Sequence, residues 1–260
     1  MTPQLFAVVL LMQPPLAAPI GLKASMRLEI ARVAPAPGAD KSSPYAGLGP
    51  VMMQMLTPDG PVTMEWAGGV EGVRATLKSR LSVLPAGSVV LQRTGASVIH
   101  VLDPERRTYF EVPAKAASES GAAVPDLQLR PTGETATIAG QRAERYTLSL
   151  TLSLPSSSGT PASASLPHEF QITGDMWFTD AFSGAEYAGM LKTIDALIAI
   201  PGLSAAVPPG RFPVKTRLRL TLLPDYELRT EVTRLTTVPF DAASLVVPAD
   251  YRKVDAPPGR

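Results

Sequence analysis

Apolar and polar residues alternate with a period of two in many short segments of this chain. In the first segment Leu22, Ala24, Met26, Leu28 and Ile30 lie on one side, and polar or small residues lie between them. Such alternation is typical of half-buried antiparallel strands. It recurs at 62–66, 73–84, 88–94, 97–102, 108–112, 135–138, 142–154 and 168–178. The chain is therefore predicted to be mainly β.

The last two predicted strands flank residues 224–226 and form a hairpin. With this three-residue loop, apolar residues pair on one face and polar or charged residues on the other, through Leu222–Leu228, Leu218–Val232, Arg219–Glu231 and Thr221–Arg229. A two-residue loop would instead place Leu218 opposite Glu231. Because the buried faces of paired strands must match, we predict the odd-length loop.

The period changes to that of a helix over residues 185–200. Apolar residues recur there at helical spacing, namely Tyr187, Met190, Leu191, Ile194, Leu197 and Ile198. Lys192 and Asp195 lie on the other side, Ser183 is a suitable N-cap, and Pro201-Gly202 would end the helix. This segment is predicted to be the main amphipathic helix.

These elements predict one β domain over residues 19–254, with a disordered tail at 255–260. Roughly ten to twelve antiparallel strands are too many for a flat open sheet, so we expect a strongly curved sheet or half-barrel that covers the helix 185–200. Proline-rich connectors are predicted at 34–61, 113–131, 155–167 and 201–213, with a possible short element at 51–56.

The first residues, 1–18, resemble a secretory signal peptide. The apolar run from Leu5 to Met12 is too short to span a bilayer, and Ala17-Ala18 follow as small residues. The segment departs from the usual pattern because it has no Lys or Arg before the apolar run and because Pro19 follows Ala18. The protein is predicted to be periplasmic or secreted, without a transmembrane span.

The amino-acid composition argues against several classes of function. Lys and Arg number 24 against 23 Asp and Glu, so the net charge of +1 gives no field for gathering nucleic acid. Cysteine is absent, which excludes disulfides and thiolate chemistry. His100 and His168 each stand alone on a predicted strand, and the charged run 103–107 is predicted to be a solvated turn. We therefore expect no catalytic residue, no metal, no cofactor and no enzymatic activity.

Three segments carry a resemblance to a known family: 98–110 (VIHVLDPERRTYF), 132–146 (TGETATIAGQRAERY) and 247–254 (VPADYRKV). They resemble a family of bacterial envelope domains of unknown function that is similar to the LolA/LolB-like periplasmic lipoprotein carriers and their receptor. The likeness covers about residues 70–254. It implies an open half-barrel over helices with an apolar cavity, which in those carriers receives acyl chains, and it carries over no catalytic residue.

An apolar ligand surface is the best candidate site. Methionine and aromatic side chains suit adaptable contacts with lipid, and the candidates are Trp177, Tyr187, Met190, Leu191, Ile194 and Leu197. A packed core has the same composition. Two hypotheses follow: a non-enzymatic periplasmic binding protein for a lipid or lipoprotein acyl chain, or an envelope scaffold or sensor with a closed core whose loops at 34–61 and 155–167 contact a protein partner.

Overall fold

A computed structural model describes residues 20–34, 48–114, 127–153, 169–182 and 207–255 of the chain. The predicted signal peptide at 1–18, the predicted helix at 185–200 and the connector at 155–167 lie outside the described residues. Their structure therefore stays a prediction.

Twelve strands form one sheet in the described part of the chain. They are β1 Ile20–Arg32, β2 Val62–Gly69, β3 Gly72–Leu77, β4 Val89–Arg93, β5 Val98–Asp103, β6 Thr108–Pro113, β7 Gln128–Ile138, β8 Gln141–Ser153, β9 Glu169–Thr179, β10 Phe212–Leu220, β11 Tyr226–Pro239 and β12 Arg252–Lys253. The sheet is open and curved, with the order β12-β6-β5-β4-β3-β2-β1-β11-β10-β9-β8-β7. The predicted fold class, mainly β with roughly ten to twelve strands, is confirmed.

The first strand joins two meanders. On one side of β1 lie β2 to β6, the N-terminal meander, and on the other lie β11 back to β7, the C-terminal meander. Neighbouring strands run antiparallel except at one edge, where β12 runs parallel to β6. The predicted antiparallel sheet is confirmed for β1 to β11. Strand β12 departs from it because the chain returns along β6, where the Arg252 and Val254 amides donate hydrogen bonds to the carbonyls of Arg107 and Tyr109.

Some element boundaries differ from the prediction. The strand predicted at 73–84 ends at Leu77, since residues 78–87 fold back in turns that include an isolated Leu81–Leu84 bridge. The connector predicted at 113–131 is shorter, because β7 begins at Gln128. Pro131 is tolerated in this edge strand at a bulge between Pro131 and Thr135.

A short helix, α1 (Leu48–Leu56), lies within the connector predicted at 34–61 and extends the element suggested at 51–56. Gly49 brings α1 against the ring of Tyr226 at the start of β11. A Cβ at that glycine would overlap the ring. The close approach therefore explains the glycine.

The β10–β11 hairpin keeps the predicted faces but not the predicted register. Its loop, residues 221–225, has the predicted odd length but is longer, and Leu218 pairs with Leu228 rather than with Val232. Two successive turns close the loop through Leu223, whose amide bonds to Leu220 and whose carbonyl accepts from Tyr226. Leu223 is buried, so the longer loop hides an apolar side chain that a tighter one would have placed on a strand.

Strand pairing assigns every strand side chain to one of two faces. We call the side that carries Leu22, Ala24 and Met26 of β1 the apolar face, and the side that carries Lys23 and Arg27 the reverse face. The strands of both meanders contribute apolar side chains to the apolar face, in two buried clusters. The core of the sheet therefore lies on this side.

The reverse face of the N-terminal meander is covered by the C-terminal segment of the chain. Phe240 lies where a Cβ on Gly21 or Gly69 would meet it, and Val247 and Tyr251 pack on the buried cluster of Val89, Leu91 and Leu102. A 3-10 helix at Ala242–Leu245 lies over β3 and accepts a hydrogen bond from Arg74 at the Ser244 carbonyl. This meander thus buries side chains on both faces.

Candidate apolar binding face

On the C-terminal meander the apolar face carries mostly aliphatic and aromatic side chains in register, with Glu144 and the hydrogen-bonded pair Thr216–Thr230 as polar exceptions. Pairing across β8, β9, β10 and β11 gives three rows, Tyr146–Met176–Thr216–Thr230, Leu148–Gly174–Leu218–Leu228 and Leu150–Ile172–Leu220. Leu150 and Phe178 are fully buried, and the rings of Tyr146 and Phe178 meet edge-on with centroids 5.2 Å apart. These rows form one continuous apolar surface.

A glycine interrupts the middle row. Gly174 lies between Leu148 and Leu218, and a Cβ there would overlap the backbone carbonyl of Arg217. The missing side chain lets β9 and β10 approach closely. It also leaves the row without a side chain between two leucines.

The apolar face continues across the N-terminal meander. Its central row is Ala24–Trp66–Ala75–Val90–Val101–Phe110, and the rows beside it are Met26–Met64–Leu77 and Leu22–Gly68–Val73–Gln92. Nearly all of these side chains are buried, with Leu22 and Val73 at 0% and 1% exposure. Methionines lie next to the tryptophan on both its own and the neighbouring strand, so the surface around it is adaptable.

Two polar atoms on this part of the apolar face have no partner. The indole Nε1 of Trp66 and the amide Oε1 of Gln92 are the buried side-chain atoms that make no hydrogen bond within the described residues. A buried tryptophan N–H usually finds an acceptor. Sequence reasoning missed both residues, although the alternation Val62, Met64, Trp66 placed the indole on a buried face.

Trp177, a predicted ligand residue, lies on the reverse face of the C-terminal meander. Its strand neighbours are Arg145 on β8 and Lys215 on β10. The charged groups of Arg145, Lys215 and Arg217 lie 5.9, 5.8 and 5.7 Å from the ring centroid, which is cation–π distance. The ring is half-buried and also contacts the main apolar cluster.

Ion pairs cover much of the rest of this reverse face, beside the buried residues Ala143 and Thr179 at one end. Arg145 bonds to Glu134 at 2.7 Å and to Asp175 at 2.9 Å, and these contacts, the first above all, raise the pKa of its guanidinium. Glu227 lies between Arg219 and Arg229, at 3.3 and 2.6 Å. Burial raises the pKa of Glu227, but the hydrogen bonds and the positive charges of the two arginines together lower it by more, so the pKa stays below its ordinary value.

Of the predicted site residues, Trp177 is the one that lies within the described residues. Trp177 is placed among cations, and Tyr187, Met190, Leu191, Ile194 and Leu197 lie outside the described residues. Their contact with a ligand stays a prediction.

The histidine and acidic side chains weighed as catalytic or metal-binding candidates make local structural contacts where they are described. His100 lies 3.7 Å from Glu111 and 5.8 Å, between ring centroids, from Tyr109, and His168 lies outside the described residues. Asp103 accepts a hydrogen bond from the Arg106 amide, as predicted for a turn. Lys253 bonds to Glu111 at 2.8 Å and lowers the pKa of that carboxyl.

The described ranges lack two further features. They contain no group of three or more His, Asp or Glu side chains placed to hold a metal ion. Within the same ranges, no helix has the length and apolar character that crossing a bilayer requires.

Comparisons with known proteins place the chain in a family. The sequence model described as "Domain of unknown function (DUF4412)" matches residues 48–251, which confirms the predicted kind of family. No curated protein matches the chain. The crystal structure of LolA superfamily protein NE2245 from Nitrosomonas europaea is similar over 86% of this chain and 89% of that chain, at 8% identity and a TM-score of 0.35.

Proposed function

Since the chain belongs to the DUF4412 family of domains of unknown function, we propose from its own geometry that it is a non-enzymatic protein that binds an acyl chain along the apolar face. One observation supports this most strongly: the apolar face runs in register through both meanders of a single open sheet. Ligand sites are mostly apolar and carry few polar groups, which is the composition of this face.

The faces of the C-terminal meander differ in what they can bind. The reverse face is occupied by charges that pair with one another, such as Lys215 with Glu231 at 2.7 Å. A chain of methylene groups would have to break these pairs to lie there. On the apolar face the same chain would contact Leu148, Met176 and Leu218, and each methylene removed from water would contribute about 0.8 kcal/mol.

The predicted residues at 187–197 and Trp177 keep their place in this proposal. The helix stripe would contact the chain. Trp177, which packs against the main apolar cluster and lies within reach of three cations, would contact the polar head group where the ligand leaves that cluster. We further propose that binding takes place in the bacterial envelope, because residues 1–18 are predicted to direct export.

Native mass spectrometry tests the proposal. Protein purified without denaturation from its own bacterium is expected to carry extra mass at a fixed stoichiometry, and organic extraction is expected to remove it. The extracted protein should then bind a fluorescent fatty-acid analogue saturably. Bare protein in repeated preparations, together with no saturable binding of the analogue, would contradict the proposal.

A second candidate function, a protein-interaction module, is supported by β7. This strand forms one edge of the sheet, and almost all of its residues are exposed. A partner segment could add to such an edge by strand pairing, although Pro131 and the adjoining bulge limit the length available. A co-purifying protein instead of a lipid in the same spectra would favour this function.

A further inference from the structure

The two unpartnered polar atoms on the apolar face lie close to one another in the sheet. Trp66 is on β2 and Gln92 on β4, separated by the single strand β3 and displaced by one row. Strand spacing of about 4.8 Å and a rise of about 3.3 Å per residue put their Cα atoms about 12 Å apart. Both side chains are long enough to reach toward the space between them.

Small residues surround Trp66 on this face. Its partners on the adjacent strands are Ala24 and Ala75, and the next residue on its own strand with the same orientation is Gly68. The indole therefore has alanine and glycine as neighbours, and these residues leave space beside it. The residue is 5% exposed, so water does not satisfy its N–H.

An unpaired buried donor is costly, because the indole gives up water without gaining an acceptor. The same holds for the Gln92 oxygen, which accepts nothing within the described residues. The surface around these two groups is otherwise apolar. A ligand would match it if it had an acyl chain, a carbonyl to accept from the donor, and a hydroxyl or N–H to donate to the acceptor. A plain hydrocarbon would satisfy neither.

We infer that Trp66 and Gln92 form a polar recognition site for the linkage region of the ligand. The inference rests on the proposed function and deepens it. The Trp66 N–H donates to the carbonyl of an acyl ester or amide, and Gln92 Oε1 accepts from a hydroxyl or N–H of the group to which the acyl chain is joined. Met26 and Met64, which lie beside Trp66 on the same face, would move aside for the chain.

Three probes with matched chains separate the two contacts. Monopalmitoylglycerol has both the carbonyl and the hydroxyls, hexadecylglycerol ether has only the hydroxyls, and methyl palmitate has only the carbonyl. Binding to the extracted full-length protein would be measured by displacement of a fluorescent fatty-acid analogue. The wild type is expected to bind monopalmitoylglycerol about fivefold more tightly than either of the other probes, as a single buried hydrogen bond requires.

Two variants test which side chain accounts for the preference among the three probes. Trp66→Phe keeps an apolar ring but has no N–H, so it should bind monopalmitoylglycerol and the ether equally. Gln92→Leu should bind monopalmitoylglycerol and methyl palmitate equally. Thr173→Ala, at an exposed position on the reverse face, is the control and should keep the wild-type order. Trp66→Phe should also unfold, without ligand, at the wild-type temperature or above it, since it loses an unpaired buried donor.

Several outcomes would overturn the inference. Equal affinity of the wild type for all three probes would overturn it and leave acyl-chain binding standing. A Trp66→Phe variant that binds every probe more weakly by the same factor would show that the ring serves packing alone. No binding of any probe would overturn both this inference and the proposed function.

Discussion

The two meanders of the sheet use their reverse faces differently. In the N-terminal meander the reverse face is a second core, because the C-terminal segment lays Phe240, Val247 and Tyr251 over it. In the C-terminal meander the reverse face carries paired charges. Both meanders carry most of their buried apolar side chains on the apolar face. A function that involves the whole sheet is therefore best sought on that face.

The largest expected effect is on the free energy of unfolding, and it compares the reverse faces of the two meanders directly. Leu91→Ala in the N-terminal meander removes a fully covered side chain and should lower the free energy of unfolding by about 3 kcal/mol. Thr173→Ala, on the reverse face of the C-terminal meander, is exposed and should change it by less than about 0.5 kcal/mol. Urea unfolding of both variants provides the comparison. Similar losses would show that the two reverse faces are alike.

A glycine substitution tests the close approach of β9 and β10. Gly174→Ala places a Cβ against the Arg217 carbonyl, so the strands must separate, and we expect a loss of about 2 kcal/mol in unfolding free energy. Gly133→Ala is the control because its φ is +79° but the space around it is open, and it should cost about 1 kcal/mol. A smaller loss at Gly174 than at Gly133 would argue against the tight contact.

The charged reverse face should make stability depend on pH through Glu227. Its pKa is below the ordinary value of 4.5 in the folded protein, so its carboxylate stabilises the fold above that pH. This stabilisation is lost as pH falls through the folded pKa. Glu227→Gln should therefore be less stable than the wild type by about 1 kcal/mol at pH 7, with the gap closing toward pH 3. A gap that is constant with pH would exclude this role.

The smallest effect concerns the cation–π contacts. Arg217→Met keeps the apolar stem but removes the charge 5.7 Å from the Trp177 ring centroid, and the unfolding free energy should fall by about 0.5 kcal/mol. In a Trp177→Leu background the same substitution should have no effect. A double-mutant cycle measures the difference, and additive losses would contradict a direct contact.

Much of the fold follows from alternation, and the exceptions have physical causes. Period two predicted the strand in which Leu22 to Ile30 alternate, because its apolar face is buried against the core. Most of β7 shows no such alternation, since nearly all its side chains are exposed on both faces, and its residues 128–131 fall in a predicted connector. In the final hairpin, matching faces gave the odd loop length but could not choose between registers that keep the same faces.

The candidate site was harder to predict because it depends on contacts across strands. A tryptophan in an alternating strand predicts burial, but whether its N–H finds an acceptor depends on Ala24 and Ala75, which come from strands far apart in sequence. Trp177 is the opposite case, since its aromatic side chain makes it a candidate for an apolar surface. The register of β8 and β10 surrounds it with cations instead.

Photo-crosslinking with a diazirine-bearing fatty acid tests the central claim most directly. The extracted wild-type protein would be irradiated with the probe, digested and mapped by mass spectrometry. The account predicts saturable adducts at apolar-face residues such as Met64, Trp66 and Met176, which excess monopalmitoylglycerol suppresses. Adducts confined to the reverse face, around Lys215 and Thr173, or adducts that excess ligand does not suppress, would contradict it.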